Sequence, residues 1–184
     1  MNLGFTEKID NKPNFFVEKI WKGLVANELS DISTYQNYRF DYNEKFNRDW
    51  DDIEWEDCRE KRHTIREFWK NKTTGLKANK QWQAGNLIHP VIGNRSPNHF
   101  QFAPAIPCTG LQMFETNNRF GHASFEVLID GGIFAQLHYG HDEDVNAEGL
   151  YQLAINDGFE TLEGFVNYFP NFKGQIIHWT NNRY

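Results

Sequence analysis

Phe125-Glu126-Val127-Leu128-Ile129-Asp130-Gly131-Gly132-Ile133-Phe134-Ala135 is the stretch that decides the fold. Its first five residues are apolar and β-branched enough for a strand. Asp130-Gly131-Gly132 is hairpin-turn chemistry, and Ile133-Phe134-Ala135 supplies the returning strand. Downstream the period changes. Ala147, Leu150, Tyr151 and Ala154 share one face of a helix that stops at Gly158. Leu162, Phe165, Val166 and Phe169 share a face of another, with Thr161 as N-cap and Pro170 as terminator. Gln175-Ile176-Ile177-His178-Trp179-Thr180 is a continuous apolar strand suited to a sheet interior.

Upstream of the hairpin, Leu111 to Glu115 reads as a strand. Leu87-Ile88-His89-Pro90-Val91-Ile92 reads as an edge or bent strand, because Pro90 lacks a ladder donor. Phe16, Ile20 and Leu24, with Val17 and Trp21 beside them, form an amphipathic helix with Asn14 as N-cap. The order helix, strands, two helices, strand gives an α+β class, with a small curved sheet or barrel flanked by helices. Residues 26–60 are polar, aromatic and acidic. They read as an insertion packed on one domain spanning 1–184, since so short a stretch owns no core. A short helix is expected within Asn47 to Trp55, with Trp50 and Ile53 on one face.

No apolar run reaches membrane-spanning length, and Met1 to Asp10 has no signal-peptide core, so no membrane association is expected. Cys58 and Cys108 show no metal or CxxC spacing and read as reduced thiols of a cytoplasmic protein, with a single bridge between them as the open alternative. A net charge of −6 argues against a general duplex-DNA binder. The distribution is sharper than the total. Residues 41–60 carry nine acids against three bases, and residues 61–80 carry seven bases against one acid. Two solvated faces are one reading; an anion-binding strip beside an acidic cover is the other.

Five features occur in a familiar order: Phe16-Val17-Glu18-Lys19-Ile20 with Gly23, Lys61-Arg62-His63-Thr64-Ile65-Arg66, Trp82-Gln83-Ala84-Gly85, Asp157-Gly158-Phe159, and Ile176-Ile177-His178-Trp179. Over residues 14 to 180 the chain resembles the ASCH domain of the PUA-like superfamily. The resemblance implies a PUA-like small mixed or antiparallel β-barrel flanked by helices, and a cleft for RNA or a modified nucleoside. Some small members are amidohydrolases that remove the acetyl group of N4-acetylcytidine, and others act as ribonucleases. Fold alone does not choose among these. Two departures stand out. Thirty-seven residues separate Gly23 from Lys61, where typical members have almost none. Asp157 stands where the amidohydrolases carry a glutamate, one methylene longer.

The resemblance carries catalytic roles onto Lys61, Thr64 and Asp157. A threonine hydroxyl needs a base, a lysine acts as one when its pKa is depressed, and a carboxyl supplies a proton to a leaving amine. The alternative stays open: Lys61 and Arg66 hold phosphate, Thr64 pairs with backbone and Asp157 fixes a turn. Arg62, His63 and Arg66 are candidate substrate-binding residues, as are Trp69 and Trp82 through base stacking. His138 and His141 lack the convergent partners of a metal site, and His178 reads as a satisfied core or cleft histidine. No metal or cofactor is expected. Three functions compete: an RNA- or nucleoside-binding domain using the basic segment; a hydrolase, foremost an amidohydrolase on acylated cytidine and after it a ribonuclease; and a protein-interaction module working through the acidic insertion.

Overall fold

The computed structural model describes residues 1–9, 11–49, 53–68, 82–119, 124–138 and 143–184. In chain order the elements are β1 (Asn2–Phe5), β2 (Lys8–Ile9), β3 (Lys12–Pro13), α1 (Phe16–Ala26), α2 (Ile32–Phe46), β4 (His63–Glu67), β5 (Leu87–Ile92), β6 (Phe100–Gln101), β7 (Ile106–Pro107), β8 (Gly110–Arg119), β9 (Ser124–Ile129), β10 (Gly132–His138), α3 (Ala147–Asn156), α4 (Leu162–Tyr168) and β11 (Asn171–His178). The class is α+β. The elements fall into two compact units, Met1–Arg62 with Gly85–Pro107, and His63–Ala84 with Cys108–Tyr184. Among the described residues no helix is long and apolar enough to cross a membrane.

The first unit is built on β5. This strand runs parallel to β1 and antiparallel to β6 and β7, so it is central rather than an edge. Pro90 is tolerated there for a local reason. Its neighbour His89 donates its N–H toward β1, to Met1 O at 2.9 Å. Alternation therefore aims the Pro90 nitrogen at the other side, where the ladder changes from β7 (partners of Leu87 and Ile88) to β6 (partners of Val91 and Ile92). No donor is missed at that break. Helix α1 buries Val17, Ile20, Trp21 and Leu24, and the Trp21 indole donates to Phe102 O at 2.8 Å. Asn14 sits one residue before the N-cap position, which is Phe15; its side chain still accepts the Phe16 N–H at 3.0 Å.

The insertion contains a helix, but upstream of the expected one. Helix α2 starts at Asp31, whose carboxylate accepts the Thr34 N–H, and ends at Asn47 with φ 52°. Its inward rings Tyr35, Tyr38 and Tyr42 follow a three-and-four spacing. Tyr35 and Tyr38 pack on Trp21, Tyr35 on Trp55, and Tyr42 on Phe100. The insertion is thus part of the first unit's core. Trp50 lies outside the described residues, and Trp55 begins a turn.

The second unit is a five-stranded antiparallel sheet in the order β10-β9-β8-β11-β4. Ile129 pairs with Gly132, leaving a two-residue turn in which Asp130 (φ 52°) and Gly131 (φ 84°) are both left-handed, as a type I′ hairpin requires. Strand β11 lies between β8 and β4, which accounts for its unbroken apolar run. One sheet face carries Ile65, Phe114, Phe125, Val127, Ile129 and Ile176 into a core shared with α3 and α4, where Phe165 and Phe169 are the central rings. Thr161 caps α4, its hydroxyl accepting the Gly164 N–H at 3.1 Å.

Candidate functional site

The basic segment divides between strand and approach. The strand begins at His63, so Lys61 and Arg62 precede it. Lys61 is 1% exposed, its N–H donates to Lys19 O at 2.8 Å, and its ammonium lies 4.8 Å from the Phe16 ring centre. An added Cβ at Gly23 would stand 2.4 Å from the Lys61 carbonyl oxygen, so the glycine of α1 permits the lysine's backbone to lie against the helix. Arg62 is half-buried and forks onto Glu60, with Nη2 to Oε2 at 2.7 Å.

Within β4 the alternation settles which residues share a face. Thr64 pairs with Ile177 and Arg66 with Gln175, on one face; His63 and Ile65 point to the other, with the helices. His63 is therefore not on the Thr64–Arg66 face. Thr64 is 2% exposed. Arg66 is half-buried, and desolvation holds its guanidinium below the ordinary arginine value, while attraction to Asp157 and then Tyr168 works against that shift.

Asp157 reaches this strand by a helix-ending device. The Gly158 N–H bonds Ile155 O and the Phe159 N–H bonds Ala154 O, the paired bonds of a Schellman motif, with Gly158 at φ 96°. Asp157 is the residue just before that glycine. Its Oδ1 accepts the N–H of Ile65 at 3.0 Å, satisfying a donor of edge strand β4. Phe159 then packs on Phe165 and Phe169. The Asp-Gly-Phe triplet thus ends a helix, fixes a carboxylate on the backbone of β4 near Arg66, and fills the core.

Trp82 is half-buried beside a turn, and Trp69 lies outside the described residues. Of the grooves among the described residues, one of about 690 Å³ is lined by Thr6, Glu7, Lys8, Arg48 and Asn94. Another, of about 310 Å³, is lined by Met113, Glu115, Leu128, Asp130 and Lys173. Lys61, Thr64 and Asp157 line neither.

A second polar cluster escaped the sequence reading. His63 and His178 are register partners on β4 and β11, with ring centres 5.4 Å apart. Tyr184 lies against both rings, and its hydroxyl accepts the Asn156 amide at 2.8 Å and the Asn182 amide at 3.2 Å. His178 is fully buried and neither ring nitrogen has a hydrogen-bond partner, contrary to the expectation of a satisfied histidine. Burial, and then Arg183, push its pKa down to about 4, against the pull of Asp130. Each histidine is visible in sequence; their pairing depends on register, and no local pattern announces Tyr184.

Among the described residues no group of three or more His, Cys, Asp or Glu could hold a metal. His141 lies outside them, and the His138 N–H bonds Asp144 at 2.7 Å. Cys58 and Cys108 are buried free thiols, and burial pushes the Cys108 pKa up. No protein-family model, curated protein or solved structure matches the chain.

Proposed function

We propose that this chain is an ASCH-like domain that binds single-stranded RNA or a modified nucleoside through its basic segment. The observation that carries the reading is the bond from the Ile65 N–H to Asp157 Oδ1. It ties together two of the five features on which the resemblance rests, and it sets a carboxylate near Arg66. A partly desolvated guanidinium steadied by a neighbouring carboxylate suits a phosphate or the acceptor edge of a base. The reading includes a PUA-like barrel fold and a cytoplasmic setting; two buried free thiols are in keeping with the latter. Titration with single-stranded RNA, and with free nucleosides, at low salt tests it. Saturable binding that weakens with salt supports the reading, and no binding to any of them removes it.

One observation favours a second reading, an amidohydrolase acting on an acylated cytidine. Asp157 is bonded to the backbone N–H of Ile65, the residue that follows Thr64 in β4. In this reading the Thr64 hydroxyl attacks the acyl carbon, and the C–N bond breaks as Asp157 protonates the leaving amine. Water then hydrolyses the acyl-threonine ester to release the acid and restore Thr64; the resemblance gives Lys61 the role of base. Incubation with N4-acetylcytidine followed by chromatography decides it. Cytidine formation that disappears in Thr64→Val supports it; no cytidine, or full activity in that variant, eliminates it.

A further inference from the structure

We propose that His63, His178 and Tyr184 form a binding site for a divalent transition metal of the zinc class.

Three geometric facts point to one ion. His63 and His178 are directly opposite on adjacent antiparallel strands, so both imidazoles leave the same sheet face. Their ring centres are 5.4 Å apart with planes at 52°. Two imidazoles sharing a tetrahedral zinc, with nitrogens at about 2.0–2.1 Å, place their ring centres about 5 Å apart. The Tyr184 hydroxyl lies 3.4 Å from His63 Nδ1. That is long for a hydrogen bond. It is near the separation of about 3.3 Å between two donor atoms on one tetrahedral ion.

The surroundings fit as well. The Tyr184 oxygen accepts two amide N–H groups, from Asn156 and Asn182, which orient it. Gln112 holds the same residue by its backbone, through the Tyr184 N–H at 3.0 Å and the Tyr184 carbonyl at 2.7 Å. His178 is the independent sign of a ligand: it is fully buried with both ring nitrogens unbonded, a desolvation cost that coordination at one nitrogen relieves. Arg183 and Asp130 are the neighbouring charges, of opposite sign, with the arginine acting on His178 more strongly than the aspartate. Tyr184 is only half-buried, which leaves a path for entry. Two nitrogens and a phenol oxygen select zinc-like ions over magnesium or calcium, and a water completes the fourth position. Binding releases the Tyr184 hydroxyl proton to solvent, so no other reactant is needed.

The experiment uses the full chain after chelator treatment, titrated with Zn²⁺ by calorimetry. The imidazole signals of its seven histidines are followed by NMR. One equivalent of Zn²⁺, with the His63 and His178 signals shifting together at that equivalence, is the expected result. Tyr184→Phe is expected to weaken binding about tenfold or more, and His178→Phe to abolish it. The proposal is overturned by no stoichiometric binding, by shifts confined to other histidines, or by unchanged affinity in Tyr184→Phe. The wild-type NMR titration decides the matter even where His178→Phe does not fold.

Discussion

Asp157 Oδ1 accepts the backbone N–H of Ile65 at 3.0 Å, linking the end of α3 to the edge of the five-stranded sheet. Both residues are buried, so water has no ready access to either group. Removing the acceptor strands a buried donor, which costs about 1–3 kcal/mol. Asp157→Ala is expected to lose that much in urea unfolding, and Asp157→Asn, which keeps the oxygen, clearly less. Equal losses in the two variants would place the stabilisation in the charge rather than in the hydrogen bond.

Gly23 is required by contact rather than by conformation. A Cβ there would stand 2.4 Å from the Lys61 carbonyl oxygen, and backbone cannot swing aside as a side chain does. Gly23→Ala is expected to destabilise the protein by about 1–3 kcal/mol, as overpacking does. Thermal unfolding checks it, and an unchanged midpoint would mean that α1 does not press on Lys61.

The insertion is expected to be structural. Tyr42 is fully buried and packs on Phe46 and Phe100. Tyr42→Ala should cost about 3–5 kcal/mol, the range for emptying a large ring from a core. Deleting residues 27–58 should unfold the first unit, not merely uncover a basic strip. A folded, cooperative deletion variant by calorimetry would restore the picture of a detachable lid.

Acid should weaken the metal-free protein through His178. Its folded pKa is depressed to about 4 from the ordinary 6.5, so the unfolded chain binds the extra proton first. Stability is complete above 6.5, falls as the pH drops from 6.5 toward 4, and changes no further through this group below that. The charged and titratable groups around the ring are His63, Tyr184, Arg183 and Asp130. The loss is on the order of 3 kcal/mol, and His178→Phe should flatten the curve across that window. Identical pH dependence in wild type and variant would show that another group governs it.

What the sequence disclosed follows from how local each signal is. The Asp130-Gly131 turn, the Thr161 cap and the stop at Gly158 are each fixed by one or two residues, and each appears where expected. Pro90 misled because its tolerance depends on two non-consecutive strands meeting β5 on either side of it. Helix α2 was missed because its buried stripe is tyrosine, which at such density resembles loop or strand composition. Its Asp31 cap and the Tyr35–Tyr38–Tyr42 spacing were nonetheless present. The link from Asp157 to β4 joins residues 92 positions apart, so no local pattern announced it. The His63–His178 pairing was hidden for the same reason: it is a property of register.

The central claim is that the basic segment reads RNA or a modified nucleoside, with Arg66 as a contact. The direct measurement is fluorescence anisotropy of labelled single-stranded RNA against wild type and Arg66→Gln, at low and raised salt, with folding checked by circular dichroism. The account predicts saturable wild-type binding that weakens as salt rises, and binding about tenfold weaker in the folded Arg66→Gln variant. No wild-type binding at low salt, or equal affinity in the two proteins, would contradict it.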